Sequence, residues 1–249
     1  MSPVAAVPVR QALVLAAGNG DRFKSTSGTS KLLQSVLGQF LIVRTLETAR
    51  AAGITLFDVV VGYRAQELTA ALGGYQPDGI TVRFTHNPDW HLENGLSALA
   101  ARGRCEGSPF ALLMGDHLFE AAVLARALRT PLASGESLLA VDSRSVVAAI
   151  AAEATKVRMA GGSVVAIGKD VQPYDALDTG LFVCDPNLFD ALEASRAAGD
   201  TTLSGGIRRL ASGRLVRALE VGDARWCDID TPADLQTAEA LLTAQPQPV

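Results

Sequence analysis

The chain has 249 residues, of which 48% are hydrophobic and 19% charged, and a formal net charge of −4. That much apolar material suits a sizeable buried core and excludes global disorder. The negative balance argues against a nucleic-acid partner but leaves room for a local basic site that takes a small anion.

Taken in chain order, the N-terminal apolar stretch is broken by Pro3, Pro8 and Arg10, with no basic segment before it, which makes it a poor secretory leader. Strands are predicted over 12–16, 57–61, 81–85, 110–114 and 137–141, and helices over 40–52, 65–72, 95–102 and 120–128. Several strands read as continuous apolar runs, the pattern of strands buried on both faces of a mostly parallel sheet. Strand–helix alternation implies βαβ units with right-handed crossovers.

The pattern changes after Asp142. Residues 155–159 and 163–167 read as a hairpin around Gly161-Gly162. A strand over 181–184, a helix over 186–197 and a strand over 215–221 follow. The last helix begins at Thr231-Pro232-Ala233-Asp234, where Thr231 can cap, Pro232 suits the first turn and Asp234 favours the positive end. The tail over 245–249 is expected to fray. With no internal repeat and no linker, residues 1–249 read as a single domain with a core of about 10–243.

Three segments carry chemistry. The first strand runs into Leu15-Ala16-Ala17-Gly18-Asn19-Gly20-Asp21-Arg22-Phe23. Small residues and two glycines let backbone N–H groups cradle a phosphate chain, and Arg22 can clamp its oxygens. Lys31 follows a polar segment, 24–30, expected to be mobile and to fold over a triphosphate. A dinucleotide fingerprint fails because Phe23 stands where a small residue is needed, and no Gly-Lys-Ser/Thr Walker loop is present. The plain alternative is a turn with a surface arginine.

The predicted strand 110–114 ends in Gly115-Asp116-His117, which puts a carboxylate where open α/β sheets bind ligands. Trp226-Cys227-Asp228-Ile229-Asp230 supplies two more carboxylates that face the same way on an extended segment. Such a set suits Mg²⁺ held against phosphate oxygens. Asp230 either joins it or supports the cap of the last helix, and His117 either contacts phosphate or packs locally. Between the third strand and its helix, Asn87, Asn94, Gly95 and Ser97 offer short polar groups and space for reading a base edge; for Asn94 the alternative is helix capping.

Leu15-Ala16-Ala17-Gly18-x-Gly20-x-Arg22 with Lys31-Leu32-Leu33 resembles the signature of the sugar-phosphate nucleotidyltransferases, the MobA-like NTP transferases. The resemblance implies an α/β Rossmann-like sheet flanked by helices, of nucleotide-diphospho-sugar transferase type. It implies that Ala16, Ala17, Gly18, Asn19 and Gly20 bind the triphosphate and that Arg22 and Lys31 stabilise the charge that shifts as pyrophosphate leaves. Asp116 and Asp228 match that family's metal-binding positions, with Mg²⁺ as the cofactor.

Ala154-Thr155-Lys156-Val157, Ile167-Gly168-Lys169 and Tyr174-Asp175-Ala176-Leu177-Asp178-Thr179-Gly180 extend the likeness to the inositol-1-phosphate cytidylyltransferases. This implies CTP and myo-inositol 1-phosphate as substrates. It places Lys156 and Lys169 near the acceptor phosphate, and Asp178, Thr179 and His117 near the acceptor; a solvated hairpin face is the alternative for both lysines. Two departures stand out. Many relatives continue into a membrane-embedded phosphotransferase, whereas no run of about 18 apolar residues occurs here, so the expectation is either a separate downstream phosphotransferase or a product that feeds another pathway. Gly115 stands where relatives often carry Ser. The competing readings are a nucleotidyltransferase for another sugar 1-phosphate, phosphocholine or a phosphonate, and a non-catalytic nucleotide-binding regulatory subunit. Cys105, Cys184 and Cys227 form no C-x-x-C and are expected to be free thiols in the cytoplasm. The sequence carries no signal for oligomeric state.

Overall fold

The structure, a computed structural model, describes residues 9–23, 29–144 and 154–243, with the side chains of Arg22 and Leu241 outside the description. The expectations for 24–28 and for the tail over 245–249 therefore lie outside the described residues. In chain order the elements are β1 (Gln11–Ala16), β2 (Ser35–Val36), β3 (Gln39–Phe40), α1 (Leu41–Ala51), β4 (Leu56–Val61), α2 (Ala65–Leu72), β5 (Thr81–His86) and α3 (Asn94–Ala100). Then come β6 (Phe110–Met114), β7 (His117–Phe119), α4 (Ala121–Arg129), β8 (Ser137–Asp142), β9 (Lys156–Ala160), β10 (Ser163–Gly168) and β11 (Ala176–Cys184). The chain closes with α5 (Asn187–Ala197), α6 (Leu203–Ser212), β12 (Val216–Glu220), β13 (Trp226–Asp228) and α7 (Pro232–Thr243).

Nine strands form one sheet in the order β5-β4-β1-β6-β11-β8-β12-β10-β9. Within it β10 and β11 run against the other strands. Burial on both faces explains the continuous apolar runs: Leu13 and Leu15 belong to one hydrophobic cluster, Val14 and Ala16 to the other. The first cluster includes Ala98, Phe189 and Ile207 from α3, α5 and α6; the second includes Leu46 and Leu124 from α1 and α4. Helices thus cover both faces.

The expected hairpin forms between β9 and β10, with Gly161 and Gly162 at φ +60° and +79°, the two positive values that a tight two-residue turn needs. Helix α6 contradicts local propensity, because Ser204, Gly205 and Gly206 disfavour a helix. Packing overrides it. A Cβ at Gly205 would come within 2.3 Å of Ser195 Oγ, and one at Gly206 within 2.6 Å of Leu192 Cδ2. The glycines let α6 lie close against α5.

Asp58 is buried on β4, beside the edge strand β5. It accepts from Arg83 Nε at 2.7 Å and Nη2 at 2.6 Å, and from Gln11 Nε2 at 2.7 Å, which ties β1, β4 and β5 together. Removing the guanidinium leaves a buried carboxylate with one amide partner. Arg83→Met is therefore expected to destabilise the fold by about 3 kcal/mol, read as a lower urea midpoint with an unchanged slope. An unchanged midpoint would show that the pair contributes nothing net.

The carboxyl ends of β1, β6 and β8 open on one edge of the sheet, the place where such sheets bind ligands. There a two-stranded ribbon, β7 with β13, sets Asp228 opposite His117 and Trp226 opposite Phe119. Among the described residues no helix is long and apolar enough to cross a membrane.

Candidate active site

A cleft of about 920 Å³ opens at this edge. Leu15, Ala17 and Gly18 line it from the glycine loop, Asp116 and His117 from the β6–β7 turn, and Asp228 and Asp230 from the end of β13. Backbone bonds hold these segments in place. Gly115 N donates to Leu15 O at 2.9 Å, and Ile229 N donates to Asp116 O at 3.1 Å.

Lys31 sits buried on a short 3₁₀ turn, with Ser30 capping its start. Its Nζ donates to Asp116 Oδ2 at 2.7 Å and to Asp230 Oδ1 at 3.0 Å. Gly20, at φ +63°, makes this approach possible, since a Cβ there would lie 3.1 Å from Lys31 Cβ. His117 Nδ1 is 2.9 Å from Asp116 Oδ1 and 3.5 Å from Asp228 Oδ1. Gly180, at φ +73°, leaves room for that imidazole: a Cβ would fall 2.6 Å from His117 Cδ2.

The charges of this cluster depend on one another. Burial alone would lower the Lys31 pKa, but Asp116, Asp230 and Asp228 hold it above the ordinary value. Burial would raise Asp116, yet Lys31 and His117 keep it well below the usual carboxylate range. His117 loses basicity to burial and regains more from Asp228, Asp116 and Asp178, ending at about 9. Burial pushes Asp228 up to about 7, with the charges of Asp116 and Asp230 adding to the rise. Burial also lifts Asp178 to about 6.

These shifts have a consequence for metal-free protein. A group whose folded pKa is raised adds stability that is full below its unfolded value and is lost as pH rises through the folded value. For His117 that window runs from about 6.5 to about 9. The melting temperature in chelator is expected to fall across that range. His117→Asn should flatten the decline, and an equally steep decline in that variant would remove the assignment.

The arrangement sorts the other sequence candidates. Asn94, Ser97, Lys169 and Asp178 line the cleft. The Asn94 side chain accepts from Leu203 N at 2.9 Å, so it caps the start of α6 rather than its own helix. Asn87 is buried, donating to Ser97 Oγ at 3.0 Å and accepting from Asp89 N at 2.9 Å. Gly95 is buried and is not among the residues that line the cleft. A Cβ there would meet Thr201 O at 2.5 Å, so its small size serves packing against the start of α6.

Thr179 is buried in β11 and donates to Ala140 O at 2.9 Å, which spends its hydroxyl inside the sheet rather than on an acceptor. Lys156 Nζ donates to the Lys169 backbone carbonyl at 2.6 Å, 6.0 Å from the centre of the Tyr174 ring, and does not line the cleft. Of the two lysines, Lys169 is the one that lines the cavity. Ala16 is buried at the end of β1, and Asn19 stands beside Gly18 and Gly20 in the loop. The Arg22 side chain lies outside the described residues; its backbone belongs to the 3₁₀ turn Asp21–Phe23.

At the last helix the cap differs in its partner. Asp234 Oδ2 accepts from Asp230 N, Thr231 N and Thr231 Oγ1, reaching back as a capping-box carboxylate does. Asp230 is thereby held by its backbone while its side chain meets Lys31. Beyond the sequence candidates, Asp142, Arg144 and Trp226 also line the cleft. The strand-end rule that points to Asp116 points equally to Asp142, at the end of β8.

A carboxylate-rich cluster at the carboxyl ends of parallel strands, beside a glycine loop and a buried lysine, suits transfer between phosphates. Residues 12–215 match the MobA-like NTP transferase domain. The chain belongs to that family and is a nucleotidyltransferase. It is 40% identical over 235 residues to the "Bifunctional IPC transferase and DIPP synthase" of Rubrobacter xylanophilus, covering 93% of this chain and 51% of that protein. The protein of the same name from Aquifex aeolicus is 34% identical over 94% of this chain and 52% of its own length. The chain therefore spans about half the length of these curated relatives. Among solved structures, the inositol-1-phosphate CTP transferase from T. maritima superposes with a TM-score of 0.81 and 26% identity, covering 96% of both chains.

Proposed function

We propose that the protein transfers CMP from CTP to myo-inositol 1-phosphate, or a similar cyclitol phosphate, giving CDP-inositol and pyrophosphate. The observation that carries this reading is the cluster of Lys31, Asp116, His117 and Asp228 beside the glycine loop, in a chain similar along nearly its whole length to the relatives above. The continuous nine-stranded sheet supports one catalytic domain, and the free cysteines suit a cytoplasmic setting.

The residues fit a divalent metal. One ligand atom each from Asp116, His117 and Asp228 lies within 4.8 Å of the others. Asp228 Oδ1 is buried without a hydrogen-bond partner among the described residues, a state that a cation relieves. Mg²⁺ prefers oxygen ligands, so Asp116 and Asp228 would hold it, with Asp230 alongside. Bound there, it would neutralise phosphate oxygens of the triphosphate and the charge that develops on the leaving pyrophosphate.

The protein's part is to align and to stabilise. The acceptor phosphate is already an anionic nucleophile near neutral pH. Its oxygen forms a bond to the α-phosphorus as the bond to the bridging β-phosphate oxygen breaks, and pyrophosphate leaves with that electron pair. Backbone N–H groups of Gly18, Asn19 and Gly20 would cradle the triphosphate, with Arg22 beside them. Lys31 keeps Asp116 ionised before substrates arrive, and its ammonium turns to phosphate once that carboxylate is engaged. His117, as an imidazolium, would balance Asp228 and face the acceptor side. The product retains CMP as a leaving group, so a phosphotransferase would consume it.

The test is pyrophosphate release with Mg²⁺, crossing CTP, UTP, GTP, ATP and dTTP against inositol 1-phosphate, sugar 1-phosphates, phosphocholine and a phosphonate. Turnover is expected with CTP and inositol 1-phosphate at least about a hundredfold above other pairs. Preference for a different pair would replace the substrates. Nucleotide binding without turnover on any acceptor would favour the regulatory reading.

A further inference from the structure

Strand β8 lies three places from β1 in the sheet, about 14 Å away at the usual strand spacing. Between them stands β6, which leads into Asp116. A nucleotide held by the glycine loop and the central carboxylates thus leaves the β8 side for the second substrate. That substrate is itself an anion, and the cleft walls carry Asp116, Asp142, Asp178, Asp228, Asp230 and Asp234. Cations must offset this repulsion.

Besides His117, two cationic side chains line the cleft among the described residues, Arg144 and Lys169. Arg144 is held with unusual completeness. Asp142 Oδ1 accepts from its backbone N at 3.0 Å and its Nε at 2.9 Å, and Asp142 Oδ2 accepts from its Nη2 at 2.7 Å. Asp142 is buried, and its Oδ2 also accepts from Trp226 Nε1 at 2.7 Å. The Trp226 indole in turn stacks on His117, with ring centroids 6.5 Å apart and planes 18° from parallel.

Asp142 is therefore saturated by four donors. It repels an anion less than a free carboxylate and orients both Arg144 and Trp226. Arg144 keeps Nη1 without a hydrogen-bond partner among the described residues. A guanidinium clamped on one edge presents its other N–H groups at small entropic cost, the geometry that recognises phosphate oxygens.

We propose that Arg144 binds the anionic acceptor, with its outward N–H groups on the acceptor's phosphate oxygens, and that Asp142 is the residue that positions it. This rests on reading the site as a transferase for a phosphorylated polyol.

The test compares wild type, Arg144→Gln and Arg144→Lys. Steady-state KM would be measured for inositol 1-phosphate and for CTP. Binding of inositol 1-phosphate would be measured by calorimetry with the unreactive α,β-methylene analogue of CTP in place. For Arg144→Gln the acceptor KM and Kd are expected to rise about ten- to a hundredfold, with the CTP KM within about twofold. Arg144→Lys should recover part of the loss, because it keeps the charge beside Asp142 but not the planar fork. The proposal falls if the acceptor constants stay unchanged in Arg144→Gln, if both substrates weaken together, or if lysine rescues nothing. Failure of the wild type to bind inositol 1-phosphate at all would instead overturn the acceptor reading on which the proposal rests.

Discussion

Asp116→Asn is expected to lower kcat for pyrophosphate release by about a thousandfold or more, with the fold intact. The amide has nearly the volume of the carboxylate, so the β6–β7 turn keeps its packing. It loses the charge that faces Lys31 at 2.7 Å and His117 at 2.9 Å and that would hold the metal. Nucleotide binding in the absence of metal should change far less, because the glycine loop supplies its own donors. Turnover within tenfold of wild type would remove Asp116 from the metal site.

Lys31→Met is expected to lower kcat by about a hundred- to a thousandfold and to raise the KM for CTP. Methionine fills a similar volume in this buried position, so the loss is electrostatic rather than steric. Without the ammonium, Asp116, Asp228 and Asp230 face one another with less positive charge among them, His117 remaining beside Asp116 and Asp228. The metal-free variant should therefore melt lower than wild type. Mg²⁺ should raise its melting temperature more than it raises that of wild type, since the carboxylates recover a cation. Equal stabilisation of both proteins would show that Lys31 and the metal do not share ligands.

Much of the sheet is legible in the sequence, for a physical reason. Strands β1, β4, β6 and β8 are buried on both faces, and that condition writes itself as apolar runs, interrupted within β4 by the buried Asp58. The hairpin is legible because its turn needs two residues at positive φ and Gly161-Gly162 supplies them. Other parts leave weaker marks. Strands β7 and β13 have three residues each and pair across more than a hundred positions. Helix α6 is hidden by its own glycines, whose purpose is close contact with α5. The strand predicted over 181–184 begins earlier, at Ala176, so Asp178 and Thr179 lie within β11, where Thr179 bonds to Ala140 and Asp178 Oδ1 accepts from Gly180 N at the bulge.

By itself the sequence determined the order of buried strands, the glycine loop after the first of them, and the carboxylates at strand ends, because each follows from burial or turn geometry within a few residues. Only the tertiary structure decided which charges meet. It placed Lys31 between Asp116 and Asp230, turned Lys169 rather than Lys156 toward the cleft, and set Arg144 beside Asp142 and Trp226. Those meetings depend on strand order and on packing between distant segments, which spacing along the chain does not encode.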